Sequence, residues 1–582
     1  MILFSVRKIF NEILKRYMQK NIGKSGRLAR LALALALGIG VFFTDSIIVQ
    51  IGLASFSIFV LYEALVGWCA WYAIIGKNTC PIPFQNTAQQ QKKKIIIIGA
   101  GPGGLSAGMI LAHRGYDVEI FERHDEVGGR NAPIRINGYT FDVRPTFVML
   151  PQVFADIFSL AGRDYYRELD IIPLETLYRL RYSDGRDFFV HAEKSALKKE
   201  FDRVFPHEWS GYERWFAFHQ KKHERVIDCL GMPYQTWWSY FNLKILRALP
   251  YLQVHRSVMS VLGDYFQSED LKMSMAFQAK YLGMSPWHCP GTFTILPFME
   301  HKFGISHYRG GVNQLSQVMA RIFQEEGGKI HLSTEAKQII INDHKAVGVE
   351  LQDGRTVMAD EVIMNADFAD GMQRLIPEVS RPSYTDEKLA QKEYSCSTFM
   401  LYLGVDKKYD IPHHNIFFGA EYKKNLEEIS DAKVLPQDPA FYIQNACITD
   451  SSLAPEGKST IYVLVPVPNK EANIDWTVEK EKYRDLIIQK IEQRTELKDI
   501  SKHIEVERII TPDDWKNDMY VYRGAVFNLA HTLQQMLYLR PHNKYDDIDN
   551  FYIVGGGTHP GSGLPTILES GRIAADLISK KI

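Results

Sequence analysis

Apolar and polar positions change rhythm several times along this chain. In the first 20 residues, Leu3, Val6, Phe10, Ile13, Leu14 and Tyr17 recur at helical spacing, with Arg7, Lys8, Lys15 and Lys20 mostly off that stripe. This predicts an amphipathic cationic helix over 1–21, of the kind that lies in a headgroup layer or packs on its own protein. From Leu31 to Phe43 every residue is apolar or Gly, and apolar runs resume from Ser46 to Tyr62 and after Glu63. One membrane span needs about 20 residues, so 22–76 is expected to hold two transmembrane helices, about 27–47 and 50–74, turning near Asp45. A cleaved signal peptide is the rival, but a second apolar stretch follows and no small-residue cleavage site does. Residues 77–93 have the Pro and Gln content of a linker.

Beyond the linker the period shortens. Ile95–Ile98 is a wholly apolar strand of the kind buried in a parallel sheet. It runs into Gly99-Ala-Gly101-Pro-Gly103-Gly104, then a helical pattern through Leu111, then a second strand, Asp117–Phe121, ending at Glu122. Gly99 suits a tight turn, Gly101 lets backbone approach a pyrophosphate, and Gly104 permits close helix–sheet packing. The helix N-terminus offers N–H groups to phosphate, and Glu122 stands where a carboxylate accepts ribose hydroxyls. Near the C-terminus the pattern recurs: strand Phe551–Val554, Gly555-Gly556-Gly557, then Gly561-Ser-Gly563-Leu564-Pro565 opening a helix over Ile567–Ile578. Between them, Glu200–Pro297 is rich in aromatics and Leu, which suits a core, a tunnel lining or a bilayer surface.

Charge sharpens this division. The 582 residues hold 68 basic and 68 acidic side chains, which argues against nucleic acid as a partner. Residues 1–30 carry eight basic residues and one acid, whereas beyond Lys94 there are 56 basic and 65 acidic residues. A cationic leader precedes a mildly acidic body. The mean hydropathy of −0.18 excludes a polytopic transporter. Six scattered cysteines form neither a disulfide framework nor a zinc motif, and no metal is expected.

Two resemblances follow from particular residues. Gly67-Trp68-Cys69 and, after Gly76, Thr79-Cys80 are similar to the end of the two-helix inner-membrane domain attached to bacterial rhodaneses, although Ala70 replaces the usual Pro. With basic residues flanking the hairpin, both ends and the following body are expected in the cytoplasm. Glu122-Arg123 with Gly128-Gly129-Arg130 resembles the second glycine motif of the amine oxidase and carotenoid desaturase flavoproteins. Gly138–Thr146, Tyr281–Pro286, Tyr308–Gly311, Lys329–Val349 with Asn365-Ala366-Asp367, Thr449–Gly457 and above all 550–577 resemble bacterial-type phytoene desaturases over about 94–582.

That resemblance implies an α/β fold: a Rossmann-like FAD-binding domain in three parts (94–175, 306–370, 511–582) with an α+β substrate domain inserted as 176–305 and 371–510. It implies FAD held by Gly99, Gly101, Gly103, Gly104, Glu122, Arg123, Gly128, Gly129, Arg130, Gly310, Gly311, Gly557, Gly563 and Leu564. The implied reaction is desaturation of a linear polyprenoid such as phytoene or diapophytoene by hydride transfer to flavin, with quinone or O2 as electron acceptor and membrane lipid as a partner. The alternatives are a related oxidase, saturase or isomerase of another isoprenoid or lipid, and a flavin-binding membrane assembly protein. Acid/base candidates are His559, Arg144, Asp142 and Arg247, with His559 best placed by sequence. Arg144 stands where the family usually has Gly.

Overall fold

The computed structural model describes residues 24–44, 46–66 and 92–580, and the chain separates into two units between Gln91 and Lys92. In the first unit, α1 (Lys24–Gly40) leads through a short 3-10 turn to α2 (Ile47–Val66). The two helices pair antiparallel. Ser57 Oγ donates to the Ala34 carbonyl at 2.7 Å, and Arg27 Nε donates to the Ala64 carbonyl at 2.7 Å. Glu63, a carboxylate inside an apolar helix, is buried and paired with Arg30 at 3.2 Å.

The expectation of two paired helices in this segment is met, while the expected spans are not seen in the described residues. Among the described residues no helix is long and apolar enough to cross a membrane. The α2 helix carries Gln50, Ser55, Ser57 and Glu63. The predicted helix over 1–21, Cys69, Cys80 and residues 77–91 of the linker lie outside the described residues. What the hairpin does show is apolar surface: Leu28, Leu35, Phe42, Phe43, Ile47 and Ile58 are all exposed.

In the second unit, β1 (Lys94–Ile98), β2 (Asp117–Phe121), β3 (Lys329–His331), β4 (Glu361–Met364) and β5 (Phe551–Ile553) form one parallel sheet in the order β5-β4-β1-β2-β3. Strands distant in sequence thus meet side by side. The apolar run of β1 is buried because it lies at the centre. Between β1 and β2 runs α3 (Pro102–His113), and α4 (Leu564–Ile578) packs against it after β5. Small residues set that contact: Ser106 Oγ donates to the Leu568 carbonyl at 2.9 Å, and a Cβ on Gly571 would stand 2.4 Å from the Gly103 carbonyl oxygen.

A seven-stranded sheet fills the middle of the unit. Its order is Ile504–Ile510, Ser397–Val405, Ser459–Val467, Phe441–Gln444, His414–Phe417, Thr176–Arg181, Asp187–His191. All neighbours are antiparallel except His414–Phe417 beside Thr176–Arg181. One face of this sheet looks toward the carboxyl ends of the parallel strands, and the site lies between.

Candidate functional site

A cleft enclosing about 2430 Å³, its open mouth included, is lined by the carboxyl ends of β1, β2 and β4 and by the turn after β5. Open parallel sheets bind ligands at this edge. In its first arm, Gly99 has φ +97°, and a Cβ there would stand 2.6 Å from the Asn365 carbonyl oxygen, so only Gly fits the turn. Asn365 clamps the turn from β4, its Nδ2 donating to the carbonyls of Gly99 at 3.0 Å and Gly101 at 3.3 Å. No side chain caps the start of α3. Its first N–H groups and positive dipole end therefore meet the cleft.

Glu122 ends β2 with both carboxylate oxygens held by backbone. Oε2 accepts from Ala100 N–H at 2.7 Å and Oε1 from His124 N–H at 3.0 Å. The next turn approaches through Gly128, whose N–H donates to the Ala100 carbonyl at 2.9 Å. Gly129 and Arg130 line the cleft, and Arg130 donates to the Val526 carbonyl at 3.0 Å. Arg123 and Arg374 lie over the Tyr520 ring, at 3.9 and 4.1 Å from its centroid. Asp367 also lines the cleft, and its Oδ2 has no partner among the described residues. Burial pushes its carboxyl up to about 6 despite the nearby charge of Arg130. Open amides, a carboxylate at a strand end, a free guanidinium edge and an orphaned buried oxygen fit a dinucleotide.

The second arm begins at the turn after β5. Gly555, Gly556, Gly563 and Leu564 line it. The turn is held from behind by Arg540, which is fully buried. Its guanidinium donates to the carbonyls of Gln535 at 3.0 Å, Gly556 at 2.8 Å, Thr558 at 3.0 Å and Leu529 at 3.4 Å. Burial lowers this arginine to about 9, so it stays charged at neutral pH. Sequence reasoning missed Arg540, and it met Asn365 and Asp367 only within a family-like segment, without a role for either. For the last two, their place just after an apolar strand was the available signal.

Several predicted residues take other places. His559 does not line the cleft. Its Nε2 faces the Leu230 carbonyl at 3.2 Å, its ring packs 4.8 Å from Tyr234, and burial pushes it down to about 3, so it is neutral. It ties the turn to the helix Trp209–Leu230 rather than facing a cofactor. Asp142 is likewise off the cleft: its Oδ1 accepts from Val312 N–H at 2.7 Å and lies where a Cβ on Gly311 would come within 2.8 Å. Asp450 Oδ2 accepts from Gly310 N–H at 2.6 Å. Asp142, Gly310 and Gly311 thus build a supporting turn. Gly103, Gly104 and Gly557 serve close packing, with a Cβ at Gly557 falling 2.3 Å from Phe368 Cβ. Arg247 is exposed on the helix Leu243–Leu252.

Arg144 does line the cleft, its guanidinium 4.1 Å from the Phe527 ring centroid. No carboxylate pairs with it among the described residues, and burial lowers its pKa. Beyond it the walls become apolar: Phe147, Phe277, Ile416, Phe441, Leu464 and Pro466. Ile416, Leu464 and Pro466 project from one face of the seven-stranded sheet. Tyr442 donates to Thr146 Oγ1 at 3.0 Å, so its phenol is satisfied. The arm suits a long, greasy ligand laid against the first arm's occupant.

Residues 102–579 match the family of flavin containing amine oxidoreductases, and residues 18–83 match the transmembrane domain of the YgaP-like inner membrane proteins. A 4,4'-diapophytoene desaturase (4,4'-diapolycopene-forming) of Methylomonas sp. is 48% identical over 489 residues, which is 84% of this chain and 96% of the relative. The zeta-carotene-forming phytoene desaturase of Myxococcus xanthus is 35% identical, over 84% of this chain and 94% of its own. The lycopene-forming phytoene desaturase of Pantoea ananas is 32% identical, over 84% and 99%. Among solved structures, an oxidoreductase from Methanosarcina mazei superposes with a TM-score of 0.55 at 15% identity, covering 84% of this chain and all of the other. The cyclohexylamine oxidase of Brevibacterium oxydans gives 0.53 at 14%, covering 84% and 99%. These two speak for the fold alone.

Proposed function

The chain belongs to the flavin containing amine oxidoreductases, and from that premise we propose that it is an FAD-dependent desaturase of carotenoid biosynthesis acting on 4,4'-diapophytoene. The observation that carries this is the pairing of a dinucleotide-shaped arm with an apolar arm in one cleft. The substrate follows the relative at 48% identity rather than those at 32–35%. Gly99, Gly101 and Arg130 would meet the pyrophosphate and Glu122 the ribose, while Gly128, Gly129 and Arg123 shape and flank that arm. Gly563 and Leu564 would bring the start of α4 to the flavin ring, where its dipole favours negative charge. Gly103, Gly104, Gly310, Gly311 and Gly557 would support these contacts from behind. Bound FAD supplies a hydride acceptor. The apolar arm lays a C–H bond beside it and keeps water out. Quinone or O2 would take the electrons afterwards.

Expression in a host that accumulates 4,4'-diapophytoene tests this reading. Coloured polyenes with lengthened conjugation are expected, and a host that keeps only the colourless precursor despite an FAD-loaded enzyme contradicts it. Recovery of an oxygenated, saturated or isomerised product instead would favour the alternative oxidase, saturase or isomerase.

We also propose that both units work at a lipid surface, since such a hydrocarbon is delivered from lipid. The match of 18–83 to an inner-membrane domain and the exposed apolar side chains of α1 and α2 support this for the first unit. In the second, Trp237, Trp238 and Phe241 are exposed on one short turn, followed by exposed Leu243, Leu246 and Leu249 beside Lys244 and Arg247. That combination suits an anionic bilayer. Deleting residues 1–91 should leave measurable binding to anionic vesicles by flotation. Adding Trp237→Ala, Trp238→Ala and Phe241→Ala should weaken that remainder at least about 10-fold, taking roughly 1.5–3 kcal/mol per buried large apolar side chain as the upper scale. Unchanged flotation would remove this surface from the proposal.

A further inference from the structure

We propose that Lys280 is the proton acceptor of the desaturation. The proposal rests on the desaturase reading and names the group that completes it. Forming a double bond removes a hydride from one carbon and a proton from its neighbour. The hydride, with its electron pair, goes to FAD. The electrons of the second C–H bond become the new π bond, and its proton goes to Lys280 Nζ, giving an ammonium that later releases the proton to water. The electrons leave reduced flavin for quinone or O2.

Geometry selects this residue. Asp142 and His559, the acid/base candidates visible in the sequence, lie outside the cleft lining, whereas Lys280 lines its apolar arm from the short 3-10 helix Phe277–Leu282. Its Nζ stands 4.7 Å from the Tyr422 ring centroid, and no carboxylate or hydrogen-bond acceptor pairs with it among the described residues. Cys396 and Tyr422 lie beside it, and Arg144, Tyr442 and Tyr462 are the other titratable groups of the apolar arm. Burial pushes the Cys396 thiol up to about 11 and raises all three phenols, so each keeps its proton at neutral pH. Arg144 is a cation and accepts nothing. Glu122, His124, Glu335 and Asp367 line the first arm, so in the apolar arm Lys280 is the remaining base.

Burial also lowers Lys280 to about 7, against a weaker opposite pull from Cys396. The sign suits the chemistry. Loss of hydride leaves positive charge on the hydrocarbon, which an ammonium added to the charge of Arg144 in this cleft would oppose further. A neutral amine does not oppose it and has a lone pair for the proton. The neutral form grows as pH rises through about 7, so the rate should rise with it.

The test mixes FAD-loaded enzyme with 4,4'-diapophytoene in vesicles without oxygen and follows loss of flavin colour. Wild-type rates should climb through about pH 7. Lys280→Met and Lys280→Gln should be slower by about 10²- to 10⁴-fold, the usual range for general base catalysis, with flat pH profiles and unchanged FAD content. Separately, acylation of Lys280 in the resting protein, measured by peptide mass against pH, should show a midpoint near 7 rather than above 10. Variants that bleach at the wild-type rate, or an ordinary lysine acylation profile, overturn the proposal alone. A wild type that never bleaches overturns the desaturase reading and this proposal with it.

Discussion

Arg540→Met leaves a protein that unfolds well below the wild-type temperature and loses FAD on gel filtration. The side chain removed donates to four backbone carbonyls, of residues 529, 535, 556 and 558, all away from solvent. An unsatisfied buried acceptor costs about 1–3 kcal/mol, so a loss of at least ~4 kcal/mol follows unless water enters the space. Methionine fills much of the volume but donates nothing. Lysine at this position restores a charge but not the planar set of donors, so Arg540→Lys should recover only part of the stability. Thermal melts followed by flavin fluorescence measure both. A melt within a degree or two of wild type for the Met variant would show that the turn after β5 does not depend on this cation.

The second large effect is expected at Gly104→Val. A Cβ at this position would lie 2.4 Å from the Gly99 carbonyl oxygen and 2.8 Å from Asn365 Nδ2. Backbone cannot yield as a flexible side chain does, so α3 must move away from β1 and carry its free N–H groups with it. Overpacking of this kind costs about 1–3 kcal/mol. Because the shift falls on the pyrophosphate contacts, it should appear mainly as weaker FAD binding, by about 10- to 100-fold. Far-ultraviolet circular dichroism should change little. Titration of apoprotein with FAD reads the effect, and equal affinities in variant and wild type would contradict the placement of the cofactor.

The two changes differ in how visible their sites were beforehand. Gly99, Gly104 and Glu122 were legible because their chemistry is local: strand, turn, helix and acid follow within the 28 residues from Ile95 to Glu122, and each residue type has one physical reason to be there. The apolar runs at β1 and β5 were legible for the same reason. Arg540 was not, since nothing near it in sequence announces four carbonyls gathered from either side. His559 misled because it lies in the turn after β5, yet its direction is set by Leu230 and Tyr234, more than 300 residues earlier. Asp142 misled similarly, with its partner at Val312. The seven-stranded sheet, drawn from segments between 176 and 510, could be expected only as an inserted domain. At the N-terminus, composition suggested spans, while the pairing of Arg30 with Glu63 and the end of α1 at Gly40 depend on how the helices meet.

Arg144 shows both sides of this. Its departure from the family's usual Gly is plain in the sequence, but its perch over Phe527 appears only in three dimensions. There its charge favours negative charge arriving in the same cleft.

The central claim is that one cleft holds FAD and a linear polyprenoid in reactive contact. The most direct measurement is an anaerobic single turnover of the purified, FAD-loaded full chain with 4,4'-diapophytoene in lipid, counting double bonds gained against flavin reduced. One new double bond for each flavin bleached is the predicted result. A flavin that stays oxidised beside bound polyprenoid, or that bleaches with no gain in unsaturation, contradicts it.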